Sequence, residues 1–305
     1  MTRLFRSFWL LLLTLLARCD AAPDLNCDLT IVARMPLQVQ DRLLVVPAGI
    51  NGKWVRLVVD SGAERTTISN ATAERLGLPH DPRFRVKSIG VGGSTTSTDV
   101  SIDRMVLGGV HFPVARVAVG NFTLQNERGL SADGLLGADV LLAYDLDIDI
   151  PGATLTLYRR RLCPASRPPW PEPGIEILGV RAQKDRLLLP FDLDDTSGMA
   201  LLDTGAQGNV LGVAMARRMG LTEQTLATDP PVRNTGTGGV IISRMHRFGR
   251  LRVGPVIQDS PRIIVLPSDF GVGDALLGEE FLDGRRVWLS FRNRQVFVSR
   301  RSNEP

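Results

Sequence analysis

Histidine and cysteine are scarce in this chain of 305 residues, three of each, and tyrosine occurs only twice. His80, His111 and His246 lack metal-ligand spacing, which argues against a histidine-built metal centre. No Gly-x-Ser-x-Gly elbow occurs, and no cysteine stands in a nucleophile context, which argues against an elbow-type serine or a cysteine nucleophile. Low-complexity tracts and sustained heptads are missing, which excludes a disordered tail protein or a coiled coil. Beyond the N-terminus no apolar run is long enough for a membrane-spanning helix. The net charge of +4 is modest and the arginines are scattered, so they read as a solvated surface rather than a nucleic-acid footprint. Near the end, Arg292, Arg294, Arg300 and Arg301 alternate with apolar residues, as on one face of a strand.

What is present starts with a leader. Arg3 and Arg6 precede an apolar run from Phe8 to Ala17, followed by small residues at Ala21 and Ala22. This is a signal-peptide pattern over residues 1–22, and it implies an exported protein, periplasmic or secreted. Two readings of Cys19 stay open. Cleavage after Ala21 removes it. A lipobox-like Leu16-Ala17-Arg18-Cys19 would lipidate it as a membrane anchor, although Arg18 is larger than a lipobox wants there. Cys27 and Cys163 then remain, an even pair in an oxidising compartment. A disulfide between them would close the first lobe; two unpaired thiols are the alternative.

The rest of the chain alternates short apolar, β-branched runs with turn residues, the signature of an all-β protein. Leu29–Val32, Leu43–Val46 and Trp54–Val59 read as strands, the last two joined by an Asn51-Gly52 hairpin turn. Asn70 is placed to cap a short helix that Gly77 ends. Val100–Leu107 and Val114–Val119 read as strands joined at Gly108-Gly109, and the stretch from Asp133 opens a helix through Leu142. Asp145, Asp147 and Asp149 alternate along a strand, either as a polar face or as a calcium site. Five prolines between Cys163 and Gly174 mark a linker. The lobes on either side span residues 28–162 and 175–301.

The second lobe repeats the first. Leu57-Val58-Val59-Asp60-Ser61-Gly62-Ala63 returns as Ala200-Leu201-Leu202-Asp203-Thr204-Gly205-Ala206, with Asp203 following Asp60 by 143 positions. Gly77-Leu78 returns at that same separation as Gly220-Leu221. Ile89-Gly90-Val91-Gly92-Gly93 is matched by Thr235-Gly236-Thr237-Gly238-Gly239, and Asp133-Gly134-Leu135-Leu136-Gly137 by Asp274-Ala275-Leu276-Leu277-Gly278. Landmarks repeated in one order argue for an internal duplication. Duplicated lobes tend to pack about a pseudo-two-fold axis, and only elements near that axis meet their counterparts.

Apolar strands that end in Asp deliver a carboxylate into surroundings where its charge is costly. Two such groups brought together share one proton, because adjacent like charges cannot both ionise cheaply. Asp60 and Asp203 are therefore the candidate dyad, holding a water between them. Ser61 and Thr204 are placed to donate to the opposite backbone. Gly62 and Gly205 let N–H groups point at the carboxylates. Ala63 and Ala206 leave room for a substrate. Such chemistry needs no metal or cofactor.

The doubled pattern of apolar residues, Asp-Ser/Thr-Gly-Ala, a glycine-rich hairpin and Leu-Leu-Gly resembles the retroviral-type (retropepsin-like) aspartic peptidases. The resemblance implies two similar closed β lobes and an endopeptidase that acts on polypeptides as a monomer, with both lobes in one chain. It implies flaps at Gly92-Gly93 and Gly238-Gly239 that close over the substrate. Glu64 and Gln207 stand where that family usually has Asp, so substrate-binding roles there imply two chemically different halves of the cleft. The competing reading is a peptide-binding protein of the same fold without catalysis. A cell-envelope scaffold would rest on the lipid anchor alone.

Overall fold

The computed structural model describes residues 29–301 except 123, 126–130, 161–166, 173, 182–185 and 237. The leader, Cys19, Cys27 and Cys163 lie outside the described residues.

The chain is mostly β and folds as two copies of one sheet. In the first copy the strand order is 80–90, 93–101, 116–120, 67–69, 134–136, 53–59, 43–50, 105–107, 110–112. In the second it is 231–236, 239–247, 262–265, 210–211, 275–277, 196–202, 187–193, 250–253, 256–259, strand for strand the same path. Alternation drives the burial. Along Leu187–Leu193 every second residue, Leu187, Leu189, Phe191 and Leu193, is buried. Where a strand enters the centre the alternation stops, and Leu57, Val58 and Val59 are all buried. That change marks the approach to Asp60.

Local signals place the turns. Asn51 and Gly52 take φ of 49° and 80°, the hairpin geometry that an Asn-Gly pair favours. The helix Asn70–Leu76 ends at Gly77, φ 71°, but its N-cap is Ser69, whose hydroxyl accepts from the Thr72 N–H. Ser69 already has the extended conformation a cap requires, which leaves Asn70 inside the first turn. The long strand read at Val100–Leu107 breaks after Ser101, and Gly108-Gly109 turns Met105–Leu107 back onto Val110–Phe112. The segment from Asp133 holds a strand, Gly134–Leu136, before the short helix Ala138–Leu141. The C-terminal arginines do not share a strand face. Gln295–Val298 is the strand, and Arg301 beyond it donates to the carbonyls of Asp283 and Glu280.

The halves share a third sheet that the strand pattern did not assign. Its order is 29–36, 154–160, 145–149, 286–290, 295–298, 175–178, three strands from each half about a centre where Asp147 pairs with Trp288. Asp145, Asp147 and Asp149 lie here, each paired with an arginine. Asp145 pairs with Arg160. The Asp147 carboxylate accepts from Arg286 at 2.8 and 2.6 Å and from the Trp170 indole N–H at 3.1 Å. Buried carboxylates are tolerated when each lone pair finds such a donor. Trp170 pins the proline-rich connection onto this sheet, packing on the cluster of Tyr158, Trp288 and Phe297.

Replacing Trp170 by Ala removes that packing and one donor to a carboxylate that is 1% exposed. It should lower stability by about 2 kcal/mol, read as a fall in the urea midpoint. An unchanged midpoint would show that the connection is not held by this residue.

Candidate active site

Each dyad residue follows a buried strand and is fixed by the neighbouring Leu-Leu-Gly strand. The Asp60 N–H donates to the Leu136 carbonyl at 3.0 Å, and the Asp203 N–H to Leu277 at 2.9 Å. The parallel pairs Val59 with Leu136 and Leu202 with Leu277 set this register in both halves. The repeated motifs therefore work as a unit, one strand carrying the acid and the other holding its backbone.

The two loops meet at the axis and exchange hydrogen bonds. The Ser61 hydroxyl donates to the Leu202 carbonyl at 2.7 Å and accepts from the Thr204 N–H at 3.1 Å. In return the Thr204 hydroxyl donates to the Val59 carbonyl at 2.6 Å and accepts from the Ser61 N–H at 3.0 Å. All four bonds are buried, where an unmade bond is costly.

This exchange brings the carboxyls together, and they hydrogen-bond each other. Oδ1 of Asp60 also accepts from the N–H groups of Gly62 at 3.0 Å and Ala63 at 2.7 Å, and Oδ1 of Asp203 from Gly205 at 2.9 Å. The glycines are needed for space. A Cβ at Gly62 would lie 2.5 Å from Cγ of Asp203, and one at Gly205 would press as hard on Asp60. Each acid thus lies over the opposite loop.

Asp60 is 8% exposed, and Asp203 is half-buried. Burial pushes the Asp60 carboxyl well above its ordinary value, and the adjacent Asp203 charge adds to the rise. Burial raises Asp203 too, opposed by the Gly205 N–H, the hydrogen bond from Asp60 and the positive charge of Arg186. Burial thus raises both carboxyls, and the pair can share one proton. A neutral acid beside a carboxylate can hold a water, take its proton and protonate a carbonyl oxygen.

The positions after the motifs differ between the halves. Glu64 pairs with Arg186 of the second half, whose side chain is buried. At the matching place Gln207 donates to the Asp41 carbonyl at 2.8 Å, and Arg42 lies 4.0 Å from Glu279. Both residues thus clasp one half to the other. Reasoning from the sequence missed their partners, although a signal was there: Asp41-Arg42-Leu43-Leu44 recurs as Asp185-Arg186-Leu187-Leu188.

The glycine-rich hairpins also meet. The Gly238 N–H donates to the Val91 carbonyl at 3.0 Å. Gly92 has a φ of 84°, and a Cβ there would fall 2.9 Å from the Gly239 carbonyl oxygen. Glycine at these tips permits the backbone-to-backbone approach. Gly93 and Gly239, with φ of 117° and 111°, complete the two turns. Val91 of a hairpin tip and Ala206 of the dyad loop both pack against one apolar cluster of Leu201, Val210, Leu266, Phe270 and Leu276.

Glu279 is buried, and its carboxyl is pushed up to about 7, first by burial and then by the Asp283 charge. The folded state favours its protonated form, so its contribution to stability is lost as pH rises through that value. Melting temperatures of the wild type should fall between about pH 5 and pH 8, and those of Glu279→Gln should fall less. Parallel curves would contradict this.

A family model described as aspartyl protease matches the chain twice, over residues 46–140 and 189–281. The chain is 30% identical over 122 residues to the UBA domain-containing protein Mud1 of Schizosaccharomyces pombe, covering 39% of this chain and 34% of that protein. It is 31% identical over 117 residues to the DDI1 homolog of Leishmania major, covering 38% of this chain and 28% of that one. The match therefore spans about a third of the length of these curated relatives. An aspartic proteinase from Irpex lacteus shares the fold, with a TM-score of 0.50 and 14% identity over 88% of this chain and 97% of that structure. With both repeats matched and the dyad at their meeting point, the chain belongs to the aspartyl protease family in its retropepsin-like form, two units joined in one polypeptide.

Proposed function

We propose that the protein is an aspartic endopeptidase that hydrolyses peptide bonds with a water held between Asp60 and Asp203. The observation that carries this reading is the pair of carboxyls brought together at the axis by reciprocal hydroxyl bonds, both raised by burial. An unused family fold does not need to retain such a pair, because each buried carboxyl works against stability. Asp203 takes the proton of the water as it attacks, and Asp60 gives its proton to the carbonyl oxygen. The paired hairpin tips must part for a polypeptide to enter, and on closing they exclude bulk water. The N-terminal leader pattern supports an exported location, and the duplication within one chain supports a working monomer.

Asp203→Asn should leave the far-ultraviolet spectrum intact and cut peptide hydrolysis on the order of a thousandfold or more. Undiminished cleavage by a folded variant would overturn the dyad assignment. The pH profile has a sign as well. Activity should fall as pH rises and Asp60 loses the proton its burial favours, and a chelator should change nothing. Activity that keeps rising into alkaline pH, or that a chelator abolishes, would point to other chemistry.

A further inference from the structure

The strands around the dyad build two walls whose residues can be compared position by position. In the first half, Thr67 pairs with Ala118 on one side and lies beside Leu135 on the other, and Leu135 pairs with Val58. In the second half the same registers join Val210 with Ile264, Val210 with Leu276, and Leu276 with Leu201. Two residues further along the strand, Gly120 stands against Leu266, with the Phe122 ring filling the space beside Gly120. Counting from the hairpin turns, Gly90–Gly93 and Gly236–Gly239, sets Thr95 against Ile241. The first-half residue is smaller or more polar at five of these six places, and only the leucines at 135 and 276 are alike.

The difference has a visible consequence. On the second side Leu201, Val210 and Leu276 form a buried apolar cluster that takes in Ile241 of the hairpin, Ala206 of the dyad loop and Val91 of the opposite hairpin tip. It therefore runs from the floor of the cleft to its roof. Among the described residues no matching cluster forms at the first-half positions, where Thr95 stands and where the Thr67 hydroxyl donates to the Arg65 carbonyl at 3.0 Å.

We propose that the cleft selects its substrate from one side: an aliphatic side chain against the second-half wall, with polar side chains admitted against the first-half wall. This rests on the peptidase reading above. A polar group pressed on the second wall loses its water and finds no partner, which is expensive. On the first wall the threonine hydroxyls, that of Thr67 as an acceptor, can replace that water, and the truncation to Ala118 leaves room. The unequal clasps of Glu64 and Gln207, which follow the two dyad loops, add to the same inequality.

The test compares peptides in which the residue flanking the scissile bond on one side or the other is changed from Leu to Gln. One change should lower kcat/KM about tenfold or more, and the other less than about threefold. Val210→Thr and Thr67→Val are near-isosteric swaps that should preserve the fold. Val210→Thr should relax the strict position, and Thr67→Val should tighten the tolerant one. The same peptides, measured for binding to Asp203→Asn by calorimetry, give the preference without hydrolysis. A wild type that cleaves none of the peptides, while Asp203→Asn binds them unequally, would sink the peptidase reading and keep the unequal walls. Equal penalties at both positions, or swaps that leave the preference unmoved, would overturn the proposal.

Discussion

The exchange of hydroxyl bonds between Ser61 and Thr204 is the constraint on which the rest depends. Each hydroxyl donates to a carbonyl of the opposite half and accepts an N–H from the opposite loop. A hydroxyl is the smallest side-chain group that can do both at once. Because the bonds cross the axis, they bring the acids together and hold the glycines of each loop against the other's carboxyl. Without them the two Asp-bearing strand ends would be neighbours with no defined separation, and proton sharing needs contact distance.

Symmetry of backbone coexists here with asymmetry of charge. The same strands in the same order present Asp60 and Asp203 alike, and their N–H groups meet equivalent carbonyls. The side chains around them are not alike. Arg186 is buried beside Glu64 and lends its positive charge to the Asp203 side, whereas its counterpart Arg42 is turned toward Glu279. A single chain can hold such a difference permanently. A pair of identical protomers would have to acquire it from the substrate.

The sheet shared by the two halves gives the site its rigidity from below. Its central strands pair across the halves, and the Asp147–Arg286 bond links them again through side chains. A buried ion pair contributes little net stability when it is intact and penalises any arrangement that separates its members. In this position it favours a single way of docking the halves.

Several features were already determined by the sequence. The duplication, the acid at the end of each apolar run, the hydroxyls and glycines after it and the all-β class follow from periodicity and repeated spacing, which are local properties. Tertiary structure alone decided the rest. The partners of Glu64 and Gln207 lie 122 and 166 residues away, and no local pattern specifies a contact that far along the chain. The shared sheet was hidden because strand periodicity reveals which face is buried, not which strand lies alongside. The raised proton affinity of the dyad depends on burial and on where Arg186 comes to rest, and both arise only once the chain has folded.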